Sequence, residues 1–366
     1  MTYLPGLTGL RFFAAFTVLI AHLRQFQVWL GYPPPGELFG EGMASQGVWF
    51  FFVLSGFLIT HLLLREIDQT GGISIRDFYL RRVLRIWPIY YVMVFLALVV
   101  VAPAGITVAS HFTAVDGAFW ARLALYLLFL PQLATNLYPH VAGASHLWSI
   151  GVEEMFYLLW PLLLLGTYRR LWLAIIPIMA LALVGDTRYS PEWLVKICFD
   201  FDLYAFFLLG AGALAAWLAR YQPHRLAGTF NIYAQAGAYL IVLANLAFTP
   251  PHYRFMLPVY AFGFVLVIVN VSMNPKTLFR FEHPALKFLG DISYGIYVYQ
   301  FLSILAVAKL LEAASIQSAA LLYAGSIVLT LLVAALSHRY IERPFLHLRH
   351  KFRRPAANVD LAPQKA

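Results

Sequence analysis

Arg11 and His22 stand eleven residues apart in the first apolar segment of the chain. At 100° per residue that spacing returns nearly to the same helix face, with about 16 Å between the two along the axis. The intervening residues, Phe12 to Ala21, are apolar enough for a spanning helix, so one wall carries a guanidinium near a membrane surface and an imidazole near mid-membrane. An imidazole at that depth is either a packing histidine bonded to a neighbouring helix or a functional group. Glu153 and Glu154 raise the same question within Ser145-His146-Leu147-Trp148-Ser149-Ile150-Gly151-Val152-Glu153-Glu154. Adjacent carboxylates on a helix point about 100° apart and cannot both face lipid, so at least one turns to a polar interior, as an arginine's ion-pair partner or as part of a site. Arg82 and Arg85, one turn apart before Ile86-Trp87-Pro88, suit a phosphate-bearing ligand, because guanidinium binds phosphate bidentately and keeps its charge; the plainer reading is a basic membrane anchor.

The elements that must position these groups are membrane helices. Of the 366 residues, 61% are hydrophobic and 12% charged, and the mean hydropathy is +0.73, too apolar for a soluble core to hide. The fold class is all-α, a polytopic integral membrane protein. A net charge of +9 would suggest nucleic acid in a soluble protein; here the cations cluster in short loops between apolar runs, and no nucleic-acid partner is expected. Cys198 stands alone, which excludes an intramolecular disulfide and a cysteine metal site, and no metal is expected. The N-terminus lacks a cationic region with a cleavage site, so the first helix is expected to be retained.

Hydropathy places spans near 7–30, 47–64 and 87–102, then 146–166, 171–185, 201–219, 230–248, 255–271, 288–307 and 319–336. The short apolar stretch 119–133 reads as re-entrant; were it to span, Arg169 and Arg170 would fall outside and the total would be eleven rather than ten. Arg65, Arg76, Arg81, Arg82 and Arg85 fill one loop and set it in the cytoplasm, with both termini on the same side. Only Arg24, Arg122, Arg188, Lys196, Arg254 and Lys309 of the 26 Lys and Arg residues then lie elsewhere. One transmembrane domain over 1–345 and a basic, disordered tail over 346–366, lying against anionic membrane lipid, are expected in a cytoplasmic (inner) membrane.

Five stretches, taken in order, resemble the membrane-bound acyltransferase-3 family, which includes O-antigen and peptidoglycan O-acetylases, nodulation-factor acetylases and macrolide acyltransferases. They are Leu10-Arg11 with His22; Phe51-Phe52-Val53-Leu54-Ser55-Gly56-Phe57-Leu58-Ile59; Arg82-Val83-Leu84-Arg85-Ile86-Trp87-Pro88; His146-Leu147-Trp148-Ser149 running on to Trp160-Pro161; and Leu289-Gly290-Asp291-Ile292-Ser293-Tyr294-Gly295-Ile296-Tyr297. The resemblance extends from Leu7 to about Phe345. It implies transfer of an acyl group, most often acetyl, from a cytosolic acyl-CoA to a hydroxyl of a glycan, lipid-linked saccharide or similar acceptor. Acyl-CoA is then a co-substrate rather than a resident cofactor. The family's essential arginine and histidine map onto Arg11 and His22, its paired arginines onto Arg82 and Arg85, and its helix glutamates onto Glu153 and Glu154.

A thioester is already activated, so the protein must mainly take the acceptor's proton, stabilise an oxyanion and hold both substrates. His22 is the expected base, with a transient acyl carrier as the other role open to it. Glu153 or Glu154 is expected to orient it as the acid does in a catalytic triad. Arg11, Arg82 and Arg85 are expected to bind the CoA phosphates, and Ser55, Trp148, Ser149 and Tyr294 to line the pocket, although Trp148 and Tyr294 also read as packing or interfacial aromatics. Two departures from the family stand out. Gln300 occupies a position where many relatives have histidine, which argues against a second imidazole there. The C-terminus does not continue into a hydrolase-like domain, so direct modification of the acceptor or a separate extracytoplasmic partner is expected. The alternative class is a transporter or flippase using His22, Glu153 and Glu154 as a proton relay, which would favour an inverted repeat that the sequence lacks.

Overall fold

The computed structural model describes residues 4–33, 42–107, 117–184, 190–247, 256–348 and 352, and every element in them is helical. In chain order these are α1 (Leu7–Trp29), α2 (Met43–Thr70), α3 (Ile75–Val94), α4 (Phe119–Leu127), α5 (Pro131–Leu137), α6 (Trp148–Thr167), α7 (Trp172–Val184) and α8 (Glu192–Asp200). The second half holds α9 (Leu203–Tyr221), α10 (Pro223–Ala227), α11 (Ile232–Ala247), α12 (Leu257–Met273), α13 (Pro284–Asp291), α14 (Ser293–Ala313), α15 (Ala319–Ser337) and α16 (Arg343–Leu348). Among the described residues seven helical stretches are long and apolar enough to cross a membrane: Leu7–Trp29, Met43–Thr70, Ile75–Val101, Ser145–Arg170, Leu203–Tyr221, Ser293–Ala313 and Ala319–Leu348. Three shorter apolar helices, α7, α11 and α12, accompany them. The chain is a polytopic helical membrane protein. The proline-rich loop over 34–41 and most of the expected tail lie outside the described residues, and α16 carries helical structure as far as Leu348.

Small residues decide how closely the helices approach. Gly56 of α2 faces the backbone carbonyl of Leu209, and Gly212 of α9 faces that of Val53, so a methyl group at either would strike main chain. Backbone contact of this kind suits association in lipid, where dispersion rather than water exclusion holds helices together. α2 is thereby fixed between α9 and α1, and Gly47 meets Val18 and the Ala14 carbonyl at the α1 contact. α14 packs on α1 from another side. The stretch expected to re-enter forms two short helices, α4 and α5, broken at Phe129 (φ 58°), where the ring stacks on Tyr90 at 4.1 Å. Tyr90 Oη donates to the carbonyl of Tyr126 at 2.8 Å, and the buried Arg122 lies over the Tyr138 ring at 5.7 Å. Neither helix has the length to span. The apolar stretch expected near 288–307 is likewise broken: Ile292 separates α13 from α14, and α14 runs on to Ala313.

Candidate active site

Two cavities share walls formed by α1, α2, α6 and α14. The first, about 100 Å³, is lined by Arg11 from α1, Ser55 from α2, Arg82 and Arg85 from α3, Ser149, Glu153 and Tyr157 from α6, and Tyr294 and Tyr297 from α14. Three arginines meet here because α1 and α3 each present their cationic positions toward α6. Glu153 is the counter-charge of Arg11 and Arg85. Its carboxylate accepts from Ser55 Oγ at 2.8 Å and from Tyr157 Oη at 2.9 Å, with Arg11 and Arg85 in electrostatic contact. The Arg82 guanidinium lies 5.5 Å from the Tyr157 ring centroid and 5.6 Å from that of Phe78, within cation–π range. Tyr294 Oη donates to the carbonyl of Ile86 at 3.0 Å, tying α14 to the arginine helix.

The second cavity, about 540 Å³, has a different wall: His22 and Trp29 from α1, Trp49 from α2, His146 and Trp148, Gln132 and Asn136 from α5, and Asp202 and Tyr204 at the start of α9. Indole faces with scattered carboxamides and a carboxylate make a lining suited to a polyhydroxylated ligand, and the volume falls in the range of ligand pockets. Asp202, outside the spanning segments, takes a left-handed conformation (φ 47°) and accepts from the backbone N–H of Ala205. Burial pushes its carboxyl up to about 6 despite that bond.

Val48 and Tyr297 line both cavities. Tyr297 Oη donates to the carbonyl of His146 at 2.7 Å and meets Ser149 Oγ at 2.6 Å, so the partition is itself hydrogen-bonded. Arginine chemistry lies on one side and histidine chemistry on the other.

Arg11, Arg82, Arg85, Ser55, Ser149, Glu153 and Tyr294 come together in the first cavity, whereas His22 and Trp148 belong to the second. The expected glutamate behind His22 is not found. Glu153 is held by Ser55, Tyr157 and the arginines, and Glu154 turns to the Trp87 indole of α3. The physical reason is charge: two arginines on neighbouring helices claim the carboxylate that a neutral imidazole would otherwise have. The side chains at the His22 ring are Gln300, Phe301 at 5.9 Å and His146 at 6.2 Å between centroids. A second imidazole therefore does stand near His22, supplied by α6's approach segment rather than by position 300. His146, Tyr157, Tyr297 and Asp202 were not singled out from sequence. For His146 the signal was present, a histidine three residues before Ser149 in an apolar stretch.

Residues 4–339 match the acyltransferase-3 family, described as the Acyltransferase domain, and the chain belongs to it. It is similar to the peptidoglycan O-acetyltransferase OatA of Listeria monocytogenes, with 28% identity over 93% of this chain and 56% of that protein. It is 27% identical to the putative peptidoglycan O-acetyltransferase YrhL of Bacillus subtilis, over 93% of this chain and 55% of that one. A putative O-acetyltransferase of Staphylococcus aureus is 29% identical over 94% of this chain and 58% of its own length. The chain thus spans little more than half the length of these relatives. No solved structure matches it.

Proposed function

We propose that the chain is a membrane O-acyltransferase of the cytoplasmic membrane that moves an acyl group, acetyl in the first instance, from cytosolic acyl-CoA to a hydroxyl of a glycan or lipid-linked saccharide. The observation that carries this reading is the pair of cavities with opposite chemistry that meet at Tyr297. Family membership and the O-acetyltransferase names of the relatives support the reaction class. Arg11, Arg82 and Arg85 hold the phosphates of the donor at one end, with Glu153 as counter-charge to Arg11 and Arg85. The acceptor hydroxyl enters the indole-lined cavity at the other end. His22 takes its proton, the hydroxyl oxygen bonds to the thioester carbonyl carbon, the C–S bond breaks, and the thiolate leaves with the proton returned by His22. Where the acceptor belongs to a separate extracytoplasmic partner, the same cavity presents the acyl group to it.

Steady-state transfer from radiolabelled acetyl-CoA tests the donor end. Arg82→Gln and Arg85→Gln each remove charge-assisted bonds to phosphate, and each should raise the KM for acetyl-CoA roughly 10- to 100-fold. The acceptor's KM should not move. Unchanged donor KM in both variants would sink the phosphate assignment. Substrate crossing the bilayer without acyl-CoA consumption would point to the transporter instead.

A further inference from the structure

His22 lines the larger cavity with no carboxylate behind it, and its Nδ1 is buried without a hydrogen-bond partner among the described residues. A buried ring nitrogen in that state bears its full desolvation cost. His146 faces it, with ring centroids 6.2 Å apart and planes at 71°. That residue is only 6% exposed.

One contact fixes the protonation geometry of His146. Its Nε2 lies 3.0 Å from the carbonyl oxygen of Val298. A carbonyl only accepts, so Nε2 carries the hydrogen, and in the neutral ring Nδ1 is left as a bare lone pair. That Nδ1 is also buried and lacks a partner among the described residues. Two facing rings thus each hold a partnerless Nδ1, and one of the two is obliged to accept. Their centroids stand about 1 Å beyond the separation of imidazoles joined by an N–H···N bond, so that bond is not made in this structure and a side-chain shift of about that size would make it. Phe301 backs both rings, stacked on His146 at 5.9 Å and edge-on to His22 at 5.9 Å, which holds the pair in this relation.

We infer that His146 is the positioning residue for His22: its Nδ1 accepts the Nδ1–H of His22 and so selects the tautomer that leaves His22 Nε2 as the free lone pair. The inference rests on His22 being the base of the acyl transfer. The acceptor's O–H proton then goes to Nε2 of His22 while the hydroxyl oxygen bonds to the thioester carbon and the C–S bond breaks, and that proton leaves with the thiolate. His146 does the work that a carboxylate does in a catalytic triad, but without a charge. Within a membrane this has a physical advantage, since a neutral orienting group avoids the desolvation penalty of a buried carboxylate. Gln300 faces the same ring and is the competing orienting group; its Nε2 donates to the Tyr297 carbonyl at 3.0 Å.

Two substitutions separate the functions of the two His146 nitrogens. His146→Gln keeps an N–H for the Val298 carbonyl but has no acceptor where Nδ1 lies. His146→Asn places an acceptor oxygen near Nδ1 and gives up the Val298 bond. The readouts are ¹⁵N NMR of histidine-labelled protein in lipid nanodiscs, with the His22 signals assigned by their loss in His22→Ala, and acetyl transfer from acetyl-CoA to a crude envelope extract. The inference predicts a single His22 Nδ1–H tautomer in the wild type and in His146→Asn, and a mixture in His146→Gln. It predicts a kcat about 100-fold lower in His146→Gln with the acetyl-CoA KM unchanged, and most of the kcat retained in His146→Asn. Activity in His146→Gln and its loss in His146→Asn would overturn the inference in favour of the Val298 bond. Equal loss in both with the His22 tautomer unaltered would also overturn it, as would a tautomer that changes with Gln300→Met instead. A wild type that transfers nothing would refute the base reading, and the tautomer comparison would still decide whether His146 positions His22.

Discussion

Glu153→Gln removes one charge and almost no volume, and the structure gives the size of the effect. The carboxylate is surrounded by Ser55 Oγ at 2.8 Å, Tyr157 Oη at 2.9 Å, Arg11 and Arg85. A carboxamide retains an acceptor for one hydroxyl and offers an N–H where the other expects an acceptor. It also leaves two guanidiniums in a cavity of about 100 Å³ with their counter-charge gone. Glu153 bonds directly to two hydroxyls, with the guanidiniums attracting it from further away, and a hydrogen bond to a charged group is worth about 1.5–3 kcal/mol, so a loss of about 2–3 kcal/mol is expected. Equilibrium unfolding in mixed detergent micelles, followed by tryptophan fluorescence, measures it. Arg85→Met provides the control: in the wild type it strips Glu153 of a partner and destabilises, whereas in Glu153→Gln it removes an uncompensated cation and should cost far less or stabilise. Glu153→Gln as stable as the wild type, or an Arg85→Met cost that is the same in both backgrounds, would refute the reasoning.

Helix contact gives a second expectation. Gly212→Ala drives a methyl into the Val53 carbonyl and should destabilise by at least about 1–3 kcal/mol, while Gly237→Ala in α11, with open space around it, should be neutral or mildly stabilising in the same unfolding assay. Asp202 gives a pH dependence. Its folded carboxyl titrates at about 6 against an ordinary 3.8, so the folded state holds a proton that the unfolded chain releases between those values, and wild-type stability falls as pH rises through that window. Asp202→Asn keeps the bond to the Ala205 N–H and tolerates the left-handed backbone, so it should be more stable than the wild type at pH 7–8, by up to about 3 kcal/mol, with the gain vanishing toward pH 4. A gain that does not depend on pH would show that the carboxyl is solvated.

Much of this site was legible because helical phase is a property of sequence. Arg11 and His22 fall on one wall of α1 and reach two cavities separated along the helix, as eleven residues at 1.5 Å require. The short apolar stretch after residue 118 declared itself by length, and it is broken at Phe129 into two helices too short to cross. What sequence did not carry was the relation between helices. Glu153 and His22 lie on different elements, and only the packing of α3 beside α6 shows that arginines take the carboxylate. Trp148 and Ser149 are neighbours in sequence yet line different cavities, because successive helical residues point 100° apart across the Tyr297 partition. The same limit hid His146: its bond to the Val298 carbonyl joins positions 152 residues apart.

The most direct measurement is acetyl transfer by the purified protein in lipid nanodiscs, using radiolabelled acetyl-CoA and a crude envelope extract, beside His22→Ala. Labelled acceptor is expected with the wild type and, because general-base catalysis contributes about 10²–10⁴-fold, should fall by at least about 100-fold in the variant while acetyl-CoA binding is kept. Equal labelling by the two proteins would contradict the role of His22 at the centre of the reaction.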